Sequence, residues 1–411
     1  MLSNPLYPTS HLPSVHSLAI HSDSIGKESS TTTATLTPET SSMGTVSEKP
    51  QQPQHNAQAF GDYLLNEEEK ALNLTDNAVK IGSRRSQLAV IQSEIVGKTI
   101  NEFYPHIRIP IIKVSTLGDQ VQNKPLYAFG GKAVWTKELE ILLVEGIGEF
   151  PKIDMIVHSL KDMPTVLPDE FELGCILKRE DPRDALVVKH GSSYKHLSEL
   201  PAGSIVGTSS VRRSAQLLKN YPHLKFKSVR GNVNTRLRKL DDPKSDYACL
   251  ILAAAGLIRL GLGDRITCYL EADEMYHAVG QGALGIEILK NDKRLQKVCE
   301  KIGCRSSTLK CVAERALLRK LEGGCSVPVG VWTTFNEETG SLRLQSIVLS
   351  TDGKESIEKE LTMRVENNDD AMKLGEQLGD LMIKQGAKKI LDSINFDKIN
   401  EIKQAGLTTT Q

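Results

Sequence analysis

The chain predicts a mixed architecture, two α/β blocks followed by an α+β block, and three observations carry that prediction. Short apolar strands alternate with amphipathic helices from residue 79 to residue 253. A strand, a small polar turn, paired arginines and a helix start follow one another twice, at 82–86 and at 207–213. Beyond residue 305 the order changes to one helix, three strands and a closing helix, which is α+β. At 411 residues, 39% hydrophobic and 25% charged, the composition is ordinary for globular proteins and leaves room for two or three domains.

Taken in order, residues 1 to about 76 are rich in Ser, Thr, Pro, Gln and His without lasting periodicity, so they read as a disordered extension. The first block opens with a strand at 79–83. Ser86 is the N-cap of a helix with Leu88, Ile91 and Ile95 on one face, and Arg84 and Arg85 sit at the junction. A strand at 107–115, a Gly-containing loop and a helix at 132–144 follow, then a buried strand at 153–157 that ends in His158-Ser159-Leu160-Lys161-Asp162. After a strand at 170–178 the second block begins with Arg179-Glu180-Asp181-Pro182-Arg183-Asp184. It continues with a strand at 204–208, a helix at 211–219 bearing Arg212 and Arg213, a strand at 225–229, a helix bearing Arg236 and a strand at 249–253. Strands alternating with helices predict parallel sheets covered on both faces. The segment 278–288 reads as a strand returning to the first block, so the chain crosses between blocks twice.

In the last block Leu309, Val312, Ala313, Ala316, Leu317 and Leu321 form one helix face. Gly323 and Gly324 are its stop, and Pro328 opens a β-rich run, which puts Cys325 on a helix-to-strand turn with little bulk beside it. Strands follow near 327–334, 342–350 and 356–365, with a closing helix at 369–384 that Gly386 ends.

Lys plus Arg equals Asp plus Glu at 51 each, so no global charge excess recruits nucleic acid or a membrane surface, and anion binding must be local. The seven cysteines include no CxxC pair or zinc-finger spacing, which predicts a reducing compartment, no disulfide framework and no metal site. No apolar run approaches the roughly 20 residues that span a bilayer. The first arginine is Arg84, against an organelle transit peptide, and cytoplasm is the predicted location.

In open α/β sheets ligands gather beyond the carboxyl ends of strands, where helix N-termini aim N–H groups at anions. Both paired-arginine starts have that form, and Arg230, Arg236 and Arg259 add guanidinium groups at comparable strand ends. Several arginines facing one cleft suit a substrate with many carboxylates. Neither loop has Walker or full G-x-G-x-x-G spacing, so nucleotide binding is disfavoured. Asp162, beside Lys161 at a strand end, is placed to face a developing positive charge or to shuttle protons. His158 reads as a hydrogen-bonded core residue, since nothing completes a triad with it.

These segments resemble the porphobilinogen deaminase, or hydroxymethylbilane synthase, family of tetrapyrrole biosynthesis. The likeness runs from about residue 79 to about residue 390. It rests on Arg84-Arg85-Ser86-Gln87-Leu88-Ala89, Gly130-Gly131-Lys132, Lys137-Glu138-Leu139-Glu140, His158 to Asp162, Arg179 to Ala185, Gly207 to Arg213, Val229 to Val233, Ala278 to Glu287 and the Cys325 loop. The resemblance implies two doubly wound domains like periplasmic binding proteins plus a C-terminal α+β domain. The implied division is 77–178 with 279–300, 179–278, and 301–395, after a disordered 1–76 and before a flexible tail at 396–411. It implies a dipyrromethane cofactor joined to Cys325 by a thioether, and four porphobilinogen units condensed head to tail with loss of ammonia. Water then releases hydroxymethylbilane. By the same resemblance Asp162 is catalytic, and Lys161, Ser210, Arg212, Arg213, Arg236 and Gly256 bind the cofactor. Arg84, Ser86, Lys132, Arg230 and Arg259 bind substrate carboxylates, hinges lie near 178–180 and 273–278, and the protein is a monomer. Ala128 stands where many relatives have lysine, and 145–152 is longer than in bacterial relatives. The competing reading is a non-catalytic two-lobed binder of polycarboxylated or phosphorylated small molecules; Cys325 and the third block argue against it. A nucleic-acid binder is disfavoured by 5% aromatics and zero net charge.

Overall fold

The computed structural model describes residues 65–115, 136–321 and 327–394. Its first element is a helix, α1 (Glu67–Ala71), closed by a full capping box in which Asn66 and Glu69 satisfy each other's amides. Glu69 also accepts from the His106 amide at 2.8 Å, and Leu65, Leu72 and Leu74 are buried in the first lobe's core. The disorder expected through residue 76 is therefore corrected from residue 65 onward. Three leucines and a capping box suffice to dock a segment whose polar composition hides them.

The first lobe holds β1 (Ile81–Arg84), α2 (Gln87–Phe103), β2 (Ile111–Val114), α3 (Lys137–Val144), β3 (Met155–Ser159) and β4 (Phe171–Ile176). The second holds β5 (Asp184–Val188), β6 (Ile205–Gly207), α4 (Val211–Asn220), β7 (Lys225–Lys227), α5 (Val233–Asp241), β8 (Tyr247–Ala253), α6 (Ala254–Arg259) and β9 (Cys268–Tyr269). The chain then returns with β10 (Leu284–Leu289), which enters the first sheet between β3 and β4 in the order β2-β1-β3-β10-β4. The second sheet runs β7-β6-β8-β5-β9.

Both sheets are covered on two faces. In the first, Ile81, Met155 and Ile286 pack on Val96 and Ile100 of α2, while Val114 and Ile156 pack on Leu139, Leu142 and Leu143 of α3. In the second, Val206, Cys249 and Ile251 face Leu217 of α4, and Leu250 and Leu252 face Leu237 and Leu240 of α5. Residues alternate between faces because successive strand side chains point opposite ways.

The expected parallel sheets are mixed. β10 pairs antiparallel with β3 and β4, and β5 pairs antiparallel with β8 and β9. Parallel neighbours are joined by a crossover connection, and a return strand arriving from the other lobe has none to its neighbours. The expected strand at 278–288 begins only at Leu284. Before it, Gly280 and Gly282 take positive φ of 69° and 84°, and a Cβ on Gly282 would run into the Glu180 carbonyl.

After α7 (Lys293–Ile302), the third unit consists of α8 (Arg305–Lys320), the antiparallel meander β11 (Val329–Asn336), β12 (Ser341–Leu349) and β13 (Ser356–Arg364), then α9 (Asn368–Lys384) and α10 (Ala387–Asp392). The apolar stripe read from the sequence is the packing face of α8: Leu309, Ala313, Leu317 and Leu321 are buried against Leu374, Leu378 and Met382 of α9. Gly386 ends α9 in the left-handed conformation, φ 98°.

Candidate active site

β3 runs into a tight 3₁₀ turn, Leu160–Asp162. Leu160 is 1% exposed and its amide donates to Ala283 O at 2.9 Å, so the turn is pinned to the return crossover. The next two residues project from that anchor, Lys161 half-buried and Asp162 exposed. Burial pushes the Lys161 ammonium down to about 8, Asp162 opposes that shift, and Arg213, Asp184 and Arg212 also act on it. His158 is bonded to the fully buried Glu287 at 2.7 Å, a core pair as expected. At the neighbouring strand end Arg84 is half-buried, and the Ser86 hydroxyl accepts from Ala89 N at 3.4 Å to cap α2.

In the second lobe Arg212 and Arg213 open α4 and are 5% and 7% exposed. Their shared partner is Asp184, the first residue of β5, which is completely buried. Arg212 donates to one carboxylate oxygen at 2.7 Å, and Arg213 to the other at 3.0 and 2.8 Å. Gln281, from the return crossover, adds a bond at 2.9 Å. Burial alone would raise the Asp184 pKa; the two guanidinium groups overcome it and hold the carboxyl far below its usual range. Arg212 also donates to Tyr276 O and Arg213 to Ile251 O, so both side chains are held by strand ends and crossover. Ser210, the N-cap of α4, makes no side-chain cap bond.

Arg230 follows β7. Asn232 caps α5 by accepting from Thr235 N at 2.8 Å, and Arg236 donates to Gly231 O at 2.8 Å. Burial, then the like charges of Arg213 and Arg230, push Arg236 down to about 10, and Asp162 pulls the other way. Lys161 and Asp162 of one lobe thus share an electrostatic neighbourhood with Arg213, Arg230 and Arg236 of the other. A cross-lobe bond from Asn234 Nδ2 to Gln87 Oε1 at 3.0 Å joins the two helix starts. Arg259 donates to Gly282 O at 2.7 Å, and Gly256 lies on α6 facing Leu88 of α2. Cys325, Lys132 and Ala128 lie outside the described residues.

The sequence reading passed over Asp184 and Gln281 as site-forming residues. The signal for Asp184 was an acid directly preceding a strand of Ala, Leu and Val, an expensive place for a charge without partners. Glu314 was also missed. Fully buried on α8, it accepts from Arg179 at 2.6 Å, Gly280 N at 2.8 Å and Thr333 at 2.8 Å, and so ties both crossovers to the third unit.

Fold and site together define a two-lobed α/β protein with arginines of one lobe set near a lysine and a carboxylate of the other, carrying an α+β unit clamped to its crossovers. Sequence profiles for "porphobilinogen deaminase, dipyromethane cofactor binding domain" and "porphobilinogen deaminase, C-terminal domain" match residues 79–297 and 308–384. The chain is 58% identical over 343 residues to porphobilinogen deaminase of Debaryomyces hansenii, covering 84% of this chain and 95% of that one. It is 60% identical to that of Candida albicans, covering 78% and 94%, and 58% identical to that of Saccharomyces cerevisiae, covering 78% and 98%. Among solved structures it is similar to the methionine-binding protein MetQ at 14% identity and TM-score 0.34, covering 55% of this chain and 88% of that one. The chain belongs to the porphobilinogen deaminase family, the hydroxymethylbilane synthases: transferases with a dipyrromethane cofactor and porphobilinogen as substrate. Among the described residues no helix is long and apolar enough to cross a membrane.

Proposed function

We propose that the cleft between the lobes is where porphobilinogen units are joined head to tail with loss of ammonia, with Asp162 as the catalytic group. One observation carries this: Asp162 is the carboxylate that acts on Arg236, whose like-charged neighbours are Arg213 and Arg230. A polycarboxylated dipyrromethane fits that donor set. Arg236 is pushed down to about 10 partly by neighbouring like charges, a repulsion that bound carboxylates relieve. Cys325 would hold the group as a thioether, with Lys161, Ser210, Arg212, Arg213, Arg236 and Gly256 around it. When bound, it supplies the nucleophilic pyrrole carbon. Arg84, Ser86, Lys132, Arg230 and Arg259 orient the acetate and propionate arms of the substrate. Asp162 accepts from the pyrrole N–H and stabilises the positive charge that develops on substrate as ammonia departs. The Arg212–Asp184–Arg213 arrangement keeps two cations in place without reorganisation during the reaction.

The domain division 77–178 with 279–300, 179–278 and 301–395 belongs to the same proposal, supported by the sheet topology and the return of β10. So does a cytoplasmic monomer without nucleic-acid or membrane partners. Balanced charge and free thiols at the six described cysteines favour it. The test is the intact mass of the purified chain beside Cys325→Ala, with Ehrlich's reagent for pyrrole. The expected result is a two-pyrrole increment and a positive colour in the wild type, both lost in the variant. An unmodified wild-type mass, unchanged by porphobilinogen, would leave the binding-protein reading.

A further inference from the structure

Arg315 on α8 is only 6% exposed, yet among the described residues no carboxylate pairs with it. Its guanidinium donates to main-chain oxygens instead, to Met163 O at 3.3 Å and Pro164 O at 2.6 Å. One helical turn later Arg319 donates to Thr165 O at 3.2 Å. Two arginines at i and i+4 therefore take three consecutive carbonyls immediately after Asp162. Burial pushes Arg315 down to about 10, and the neighbouring Arg319 adds to that. For stability alone, a hydrophobe of similar volume serves at least as well as a buried cation. What the guanidinium adds is geometry: a rigid planar fork that fixes two adjacent carbonyls in register.

The placement gives that register a use. The turn bearing Asp162 is anchored on its upstream side to the return crossover through Leu160. On its downstream side it is anchored to α8, ten residues before Cys325 at Arg315 and six before it at Arg319. α8 is thus bonded directly to the Asp162 loop while its C-terminal end leads into the thiol segment.

Building on the function proposed above, we infer that Arg315, assisted by Arg319, is a positioning residue that registers α8 against the loop presenting Asp162. It touches no reacting atom; it holds the loop that presents the charge-stabilising carboxylate in register with α8. Misplacement by about 1 Å at a distance from the chemistry can cost up to a hundredfold in rate.

The experiment compares holoenzyme of wild type, Arg315→Met, Arg315→Lys and Arg319→Ala by intact mass, thermal melting and steady-state kinetics with porphobilinogen. In Arg315→Met the cofactor increment is retained, KM stays within about twofold, and kcat per loaded enzyme falls about 10- to 100-fold. Arg315→Lys recovers part of that loss. Arg319→Ala, at an exposed residue, lowers kcat a few-fold with an unchanged melting temperature. Should Arg315→Met fail to fold, the other two variants decide. Unimpaired kcat per loaded enzyme in both, or a rise in KM in place of the fall in kcat, overturns the inference alone. A wild type lacking both pyrrole adduct and turnover overturns the function reading and this inference with it.

Discussion

The two lobes begin their paired-arginine helices with the same sequence device and use it differently. In the first, Ser86 caps α2, Arg84 is half-buried and Arg85 is exposed, with a long bond to Lys113 O at 3.5 Å. In the second, Ser210 leaves α4 uncapped by its side chain, and Arg212 and Arg213 are buried on Asp184. One start is an adaptable surface and the other a preorganised cationic wall. The buried carboxylate makes the difference, because it lets two guanidinium groups sit a few ångströms apart in a dry site. A pattern of strand, turn, Arg-Arg and helix therefore specifies where cations lie, not how tightly they are held.

That contrast can be broken at its strongest point by Asp184→Ala, which leaves two buried arginines without their counter-ion. The expected destabilisation is about 3–5 kcal/mol, read by denaturant unfolding. The wild type carries a pH signature of the same residue. Its folded-state pKa is depressed, so its stabilisation is fully present above the ordinary carboxyl value of about 3.9 and is lost as pH falls through the lower native value. The variant lacks that acid-limb loss; an identical acid limb in both proteins would refute the assignment. Next in size is Asp162→Asn. Turnover should fall by about 10²- to 10³-fold with an unchanged melting temperature, because this carboxylate is exposed. Near-normal turnover removes it from the mechanism. The finest test pairs two serines at equivalent positions: Ser86→Ala should cost about 1 kcal/mol, and Ser210→Ala less than about 0.5 kcal/mol. Equal costs would show that the two caps do not differ.

Much of this was readable from periodicity. The α8 stripe from Leu309 to Leu321, the Ser86 cap and the Gly386 stop each have a local physical cause and stand where the sequence placed them, and the strand expected at 153–157 runs two residues later, at 155–159, into the turn that carries Lys161 and Asp162. What escaped was non-local. β5 reads as a short apolar run with an acid in front, and only the arrival of Arg212, Arg213 and Gln281 from elsewhere explains the acid. Strand direction escaped too, since nothing in residues 284–289 says which neighbours they will meet. The arginines were seen as anion binders, but the partner that orders two of them lies 28 and 29 residues upstream.

The place of β10 in the first sheet has a bearing on how the chain is made. Among the described residues β4 has no strand partner except β10, and β10 lies about a hundred residues further along the chain. The second sheet is complete within residues 184–269. At ordinary elongation rates the first lobe waits roughly 5–20 s with an unpaired strand while its neighbour can already fold. The N-terminal lobe is begun first on the ribosome and closed second.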